Sequence, residues 1–107
     1  MVETTVATTN SPAGNKQVVV FAQASFDNTN WQTGPTSGTT TTDEPLLTLL
    51  GAMPLQTTSV TERKAFSVGL AYGGVLPPYF RIVHKNDLGV ALTTGTVATS
   101  EISATVA

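Results

Sequence analysis

The stretch that decides the fold is residues 16–26, which reads Lys-Gln-Val-Val-Val-Phe-Ala-Gln-Ala-Ser-Phe. Every second position from residue 18 onward is apolar: Val18, Val20, Ala22, Ala24 and Phe26. A period of two indicates a β-strand, because successive side chains of a strand point to opposite faces of the sheet. The alternate set of positions also contains Val19 and Phe21, so we expect a strand with both faces partly covered.

The composition around this strand is that of an all-β protein. Threonine occupies 20 of 107 positions, whereas the helix-favouring residues glutamate and lysine number only four and three. Threonine is β-branched and favours the pleated sheet. A chain of this length holds one hydrophobic core. We therefore predict a single all-β domain over residues 16–107.

The next apolar stretch, residues 45–54, fits two periods. Leu46, Leu49, Leu50 and Met53 match helical spacing, while Leu47, Leu49 and Gly51 match a strand. The stretch is short and bracketed by prolines, and its surroundings favour β-structure. The strand is therefore the preferred interpretation, with a helix as the alternative.

Further alternating patterns predict strands over residues 65–70, 79–85 and 97–106. Residues 86–89, Asn-Asp-Leu-Gly, predict a hairpin turn with Gly89 in the left-handed conformation, followed by a return strand over residues 90–94. About five to seven short strands in one small domain favour a two-sheet antiparallel β-sandwich, jelly-roll or immunoglobulin-like.

The first 15 residues lack sustained periodicity and end in a turn-rich cluster, Asn-Ser-Pro-Ala-Gly-Asn. We therefore predict an extended polar arm over residues 1–15, mobile in the isolated protein, and polar termini at both ends of the domain. Four residues are expected to carry the assembly contacts of this arm: Val2, Thr4, Val6 and Thr8.

Several classes of function conflict with the composition. The chain has no cysteine and one histidine, His84, which excludes disulfides, zinc clusters, iron–sulfur sites and Cys–His nucleophiles. A net charge of −2 provides no attraction for a nucleic-acid backbone or an anionic membrane. No serine-nucleophile or phosphate-binding motif is present. We expect a protein that is not an enzyme and uses no metal or cofactor.

Two short strings stand out from this background. Residues 26–31, Phe-Asp-Asn-Thr-Asn-Trp, combine a strand end, an Asx-rich turn and the single tryptophan, and residues 76–83 read Leu-Pro-Pro-Tyr-Phe-Arg-Ile-Val. The first string predicts a corner in which Trp31 packs as a buried plug. The second predicts a rigid lead into a central strand. The predicted structural corner comprises Phe26, Asp27, Trp31, Pro77, Pro78, Tyr79 and Arg81.

The strings S-F-D-N-T-N-W and L-P-P-Y-F-R-I-V-H-K-N-D-L-G resemble those of small β-sandwich structural proteins of tailed-bacteriophage virions. The resemblance spans residues 18–92. It implies a capsid decoration or cement protein on the virion surface, made in the host cytoplasm, with the major capsid protein or another virion protein as partner and no catalytic residues. The alternative is a carbohydrate- or receptor-binding module of a tail appendage, with Trp31, Tyr72 and Tyr79 as a stacking platform.

The size of the domain also favours self-association. A domain this small buries only about 60 to 65 % of its unfolded surface, so its stability is marginal without disulfides or metal. Because both faces of the strand at residues 18–26 carry apolar side chains, another copy or another protein could cover part of that surface. We therefore expect a homo-oligomer, either a dimer or a trimer.

Overall fold

The structure is a computed structural model, and it describes residues 1–8, 12, 16–36, 44–55, 61–90, 92 and 94–99. Within these residues, six strands form two three-stranded antiparallel sheets that pack together, which confirms the predicted small all-β two-sheet architecture. The strands are β1 (Val2–Ala7), β2 (Gln17–Ser25), β3 (Thr48–Pro54), β4 (Glu62–Phe66), β5 (Tyr79–Asp87) and β6 (Thr94–Thr99). The first sheet has the order β4-β1-β6, and the second has the order β3-β2-β5.

Strand β2 is the centre of the second sheet, and both of its faces are covered as predicted. Val18, Val20 and Ala22 are fully buried in the core between the sheets. On the opposite face, Gln23 donates a hydrogen bond to the Gln32 carbonyl and Ser25 donates one to the Asn30 carbonyl. This cover over Gln23 and Ser25 comes from the chain itself.

The prediction of an extended N-terminal arm was wrong for residues 2–7, because these residues form strand β1. It is the middle strand of the first sheet and pairs with β4 on one side and β6 on the other. The expected assembly residues Val2, Thr4, Val6 and Thr8 are all buried. Their alternation is a strand pattern in which threonine takes two of the inward positions, and the partners that complete the sheet lie far along the chain.

The stretch at residues 45–54 forms the predicted strand, β3, after a short 3₁₀ helix over Glu44–Leu46. The strand predicted at residues 65–70 is only partly correct, because β4 ends at Phe66 and a helical turn, α1 (Val68–Ala71), follows. Ser67 caps this helix, and its hydroxyl oxygen accepts a hydrogen bond from the Leu70 N–H at 3.2 Å. A serine at the N-cap position favours the start of a helix, and here the start of α1 ends strand β4.

The chain changes sheets after β5. In the predicted return strand over residues 90–94, residues 90 and 92 are not in a strand, residue 94 begins β6, and residues 91 and 93 lie outside the described residues, so no described strand returns along β5 as the predicted hairpin requires. Asn86 forms an Asx turn with the N–H of Leu88, and Gly89 has the expected positive φ of 72°. The chain then leads to β6, which pairs with β1 and not with β5. The fully buried Leu88 anchors this crossover in the core. Residues 100–106 of the predicted last strand lie outside the described residues.

The core between the sheets is formed by apolar side chains from the strands and from the segments that follow them: Val2, Val6, Val18, Val20, Met53, Leu55, Phe66 and Leu88. One polar contact crosses this core, between the Thr4 hydroxyl of β1 and Nε2 of His84 in β5. In the described part of the chain, no helix has the length and apolar character that crossing a bilayer requires.

Candidate binding surface

The two strings singled out in the sequence meet at one end of the second sheet. Ser25, the last residue of β2, lies opposite Tyr79, the first residue of β5. The residues that continue from these strand ends, Phe26 on one side and Pro78 on the other, therefore lie close together. Strand pairing thus brings the predicted corner residues to one place.

The turn that follows Phe26 is built on Asp27. Its carboxylate accepts hydrogen bonds from the backbone N–H of Thr29 at 2.9 Å, from that of Asn30 at 2.8 Å, and from the Asn30 side chain at 2.9 Å. The backbone bonds stabilise the ionised form and hold the pKa of Asp27 well below its usual range. The carboxylate is exposed but fully engaged in fixing the turn, as the Asx-rich sequence predicted.

Trp31 follows this turn and lies beside β2. Its ring stacks on Arg81 of β5. The guanidinium carbon lies 4.3 Å from the centroid of the tryptophan ring. Trp31 remains partly exposed, so the prediction of a buried plug was wrong. The position beneath the loop is taken instead by Gln23, which is 3 % exposed.

Gln23 connects the parts that hold Trp31 in place. Its Oε1 accepts a hydrogen bond from Nε of Arg81, and its Nε2 donates to the carbonyl of Gln32 at 2.6 Å. Gln32 in turn binds the backbone N–H of Ala24 and the Tyr72 hydroxyl through Oε1. These partly buried hydrogen bonds fix the loop and the arginine on which the indole rests.

Two open depressions flank Trp31 and Pro78. The first, of about 500 Å³, is also lined by Met1, Asn28, Leu76, Tyr79, Phe80 and Thr99. The second, of about 420 Å³, is also lined by Ala24, Ser25, Phe26, Asn30, Gln32 and Pro77. We refer to Phe26, Trp31, Leu76, Pro77, Pro78 and Tyr79 as the Trp31 surface.

The Trp31 surface exposes large apolar side chains. Phe26 is 85 % exposed, Leu76 is 52 % exposed and Tyr79 is 46 % exposed. Such residues in one contiguous patch are unusual on a monomer and mark an interaction site. The sequence strings contained these residues, but Met1 and Thr99 reach the first depression from the other sheet and have no local signal.

Tyr72, the third residue of the alternative stacking platform, is not part of this surface. It lines neither depression, packs against the core, and donates its hydroxyl to Gln32 Oε1 at 2.6 Å. His84 is likewise not on the surface, since it faces the first sheet. Among the described residues, no three His, Cys, Asp or Glu side chains are grouped closely enough to hold a metal ion.

Comparison of this chain with protein-family models, with curated proteins and with solved structures found no match. The geometry of the Trp31 surface and the two sequence strings are therefore the observations from which a function can be argued.

Proposed function

We propose that this chain is a non-enzymatic virion structural protein, a decoration or cement protein that attaches to the head of a tailed bacteriophage through the Trp31 surface. The resemblance of the two strings to such proteins suggests the setting. The observation that carries the proposal is the exposure of Phe26, Leu76 and Tyr79 in one patch. Apolar area of this kind is what a protein partner buries.

The side chains of the surface suit attachment. The nearest charged groups are already engaged, because Arg81 stacks on Trp31 and Asp27 holds the turn. What remains available to a partner is aromatic and aliphatic area with a polar rim formed by Asn28 and Asn30. Aromatic anchors within a polar rim are typical of the energetic centre of protein interfaces.

The support beneath the surface favours tight attachment. Trp31 is held from below by Arg81, and Arg81 is held by the buried Gln23. Two prolines precede β5 and restrict the backbone on the other side of the ring. A preformed contact surface loses little conformational entropy when it binds.

A second candidate is the carbohydrate- or receptor-binding module. The observation in its favour is that Trp31 and Tyr79 line the same depression, since aromatic rings in a groove can stack on sugar rings. Two observations weigh against it: Arg81 occupies one face of Trp31, and Tyr72 lies elsewhere. A glycan array separates the candidates, because a decoration protein gives no signal and a lectin-like module gives one that Trp31→Ala removes.

The proposal is tested by co-expression with the major capsid protein of the same genome, followed by sedimentation of the assembled shells. Phe26→Ser removes the most exposed aromatic of the surface without touching the core, so the variant should fold. We expect its retention on shells to fall about tenfold or more, as for loss of an aromatic anchor.

Leu49→Ser is the matched control. Leu49 is also a large apolar side chain, 61 % exposed, but it lies on β3 and lines neither depression. Retention of this variant should equal that of the natural chain. Shells that retain the Phe26→Ser chain as well as the natural chain would contradict attachment through the Trp31 surface.

A further inference from the structure

Four of the described strands form sheet edges: β4 and β6 in the first sheet, and β3 and β5 in the second. An edge strand presents unpaired N–H and C=O groups to which another strand can bind. Proteins usually block such edges with charged side chains, prolines or β-bulges. The four edges of this protein differ in how they are blocked.

Three edges carry such features. Strand β4 contains the charged run Glu62-Arg63-Lys64, and β5 contains Arg81, Lys85 and Asp87. Strand β3 is interrupted by a register shift against β2 and ends at Pro54. Pairing of another strand with any of these edges is therefore disfavoured.

Strand β6 lacks all of these features. Its sequence, Thr-Gly-Thr-Val-Ala-Thr, contains no charged residue and no proline, and its pairing with β1 is continuous. Residues 95–99 are all exposed. No described strand pairs with the outer edge of β6. Among the described strands, β6 is therefore the one whose edge remains open to strand addition.

We propose that β6 binds β6 of a second copy of this chain in antiparallel register, which extends the first sheet across a two-fold axis. The charge pattern favours a second copy as the occupant. When a strand pairs antiparallel with the same strand of a second copy, identical residues come close together. A charged residue on the strand would then repel its equivalent in the other copy, and β6 has no charged residue. Its threonines and Val97 are β-branched residues that pair favourably across strands.

The strand next to β6 is β1, and its charged residue is Glu3, one strand inward from the edge. The Glu3 carboxylates of two copies would lie about three strand spacings apart, or about 14 Å, which exceeds a Debye length of about 8 Å. Repulsion between these two carboxylates is therefore screened. The contact is smaller than a standard interface, so we expect a dissociation constant in the micromolar range. The proposal does not depend on what the Trp31 surface binds.

Sedimentation equilibrium of the full chain tests the proposal directly. The natural chain should convert from monomer to dimer over the micromolar range. Ala98→Lys places a lysine on β6 opposite Glu3, where a cross-strand carboxylate supports folding of the variant. Two such lysines near the two-fold axis repel, and the dissociation constant should rise at least about fivefold.

Ala65→Lys is the matched control, because Ala65 lies opposite Glu3 on the other side of β1, in β4, and is exposed as well. This variant should dimerise like the natural chain. Hydrogen exchange of the natural chain gives a second measurement that needs no substitution: amides of residues 94–99 should gain protection as concentration rises, whereas those of β4 should not.

Three results would overturn the proposal. A natural chain that stays monomeric up to about 1 mM would exclude self-pairing and leave the edge to a strand of another protein or to another part of the chain. Equal dissociation constants for the Ala98→Lys and natural chains would place the dimer contact elsewhere. Concentration-dependent protection in β4 alone would assign the contact to the opposite edge.

Discussion

At the scale of single residues, His84 links the two sheets. It is the sole histidine of the sequence, and it projects from β5 towards the Thr4 hydroxyl of β1. Burial disfavours the charged imidazolium and lowers the pKa of His84 from its ordinary value of 6.5. The groups that meet it from the first sheet, Thr4 and Gly95, are uncharged and provide no counter-ion.

The lowered pKa predicts that stability falls on acidification. The folded state favours neutral His84, so its contribution is complete above the unfolded pKa of 6.5 and is lost as pH falls through the folded pKa. Urea midpoints measured between about pH 7.5 and pH 5 should decrease, and His84→Gln should flatten that decrease. An unchanged pH profile in the variant would show that His84 does not control it.

Gly51 is a second residue whose identity is set by its surroundings. A Cβ at this position of β3 would lie 2.7 Å from Cε1 of the buried Phe66, and the backbone φ is +158°. Gly51→Ala should therefore destabilise the fold by about 1–3 kcal/mol in urea denaturation, because the ring must shift.

Gly69→Ala provides the comparison for this substitution. A Cβ there would lie 3.9 Å from the nearest atom, the backbone nitrogen of Leu76, and the residue is helical. The change should be neutral or stabilise by up to about 1 kcal/mol. An equal decrease in the free energy of unfolding in both variants would argue that the contact between Gly51 and Phe66 is not the cause of the destabilisation.

At the scale of elements, β1 is the strand on which the first sheet depends. It provides all the pairing of that sheet, with β4 and with β6. Val6→Ala removes a fully buried side chain and should cost about 2–3 kcal/mol in chemical denaturation. Glu3→Ala, on the exposed face of the same strand, should stay within about 0.5 kcal/mol.

Protease sensitivity gives an independent check on β1. A central strand resists cleavage in the isolated protein, so the peptide bonds of residues 2–7 should survive as long as those of β2. Rapid cleavage in residues 2–7 would support the mobile arm expected from the sequence. So would a decrease of less than about 0.5 kcal/mol in the free energy of unfolding of Val6→Ala.

The elements recovered from the sequence are those whose pattern is local. The alternation at residues 18–26 and 79–85 predicted strands that correspond to β2 and β5, although β5 lies at the edge of its sheet and not at the predicted central position. Pairing of these two strands then brings Phe26 and Pro78 together. The role of β1 could not be predicted in this way, because its partners are distant in the chain. The hairpin turn at residues 86–89 has the expected turn residues, but pairing of β6 with β1 decides where the chain goes next.

At the scale of the whole molecule, charge contributes little. The net charge is −2, and among the described residues the one ion pair joins Lys85 to Glu44 at 3.0 Å. We expect a protein of this kind to attach to a partner through apolar burial and backbone pairing, which salt leaves intact or slightly strengthens.

Retention on shells should therefore persist from low salt to about 1 M sodium chloride, where the Debye length shrinks to about 3 Å. Sedimentation of shells across that range is the measurement. Release by salt would instead assign the contact to the cationic side chains Arg63, Lys64, Arg81 and Lys85.

The position of β1 also has a consequence for synthesis on the ribosome. Residue 2 pairs with residues 66 and 99, so β1 cannot complete its sheet until residue 99 has been translated. At about 5–20 residues per second this delay lasts several seconds, during which at least one backbone edge of β1 is unpaired. Closing contacts so distant in sequence is also slow after release. Nascent copies on one messenger are then close together, so we expect the late completion of this sheet to favour pairing of β1 strands between copies.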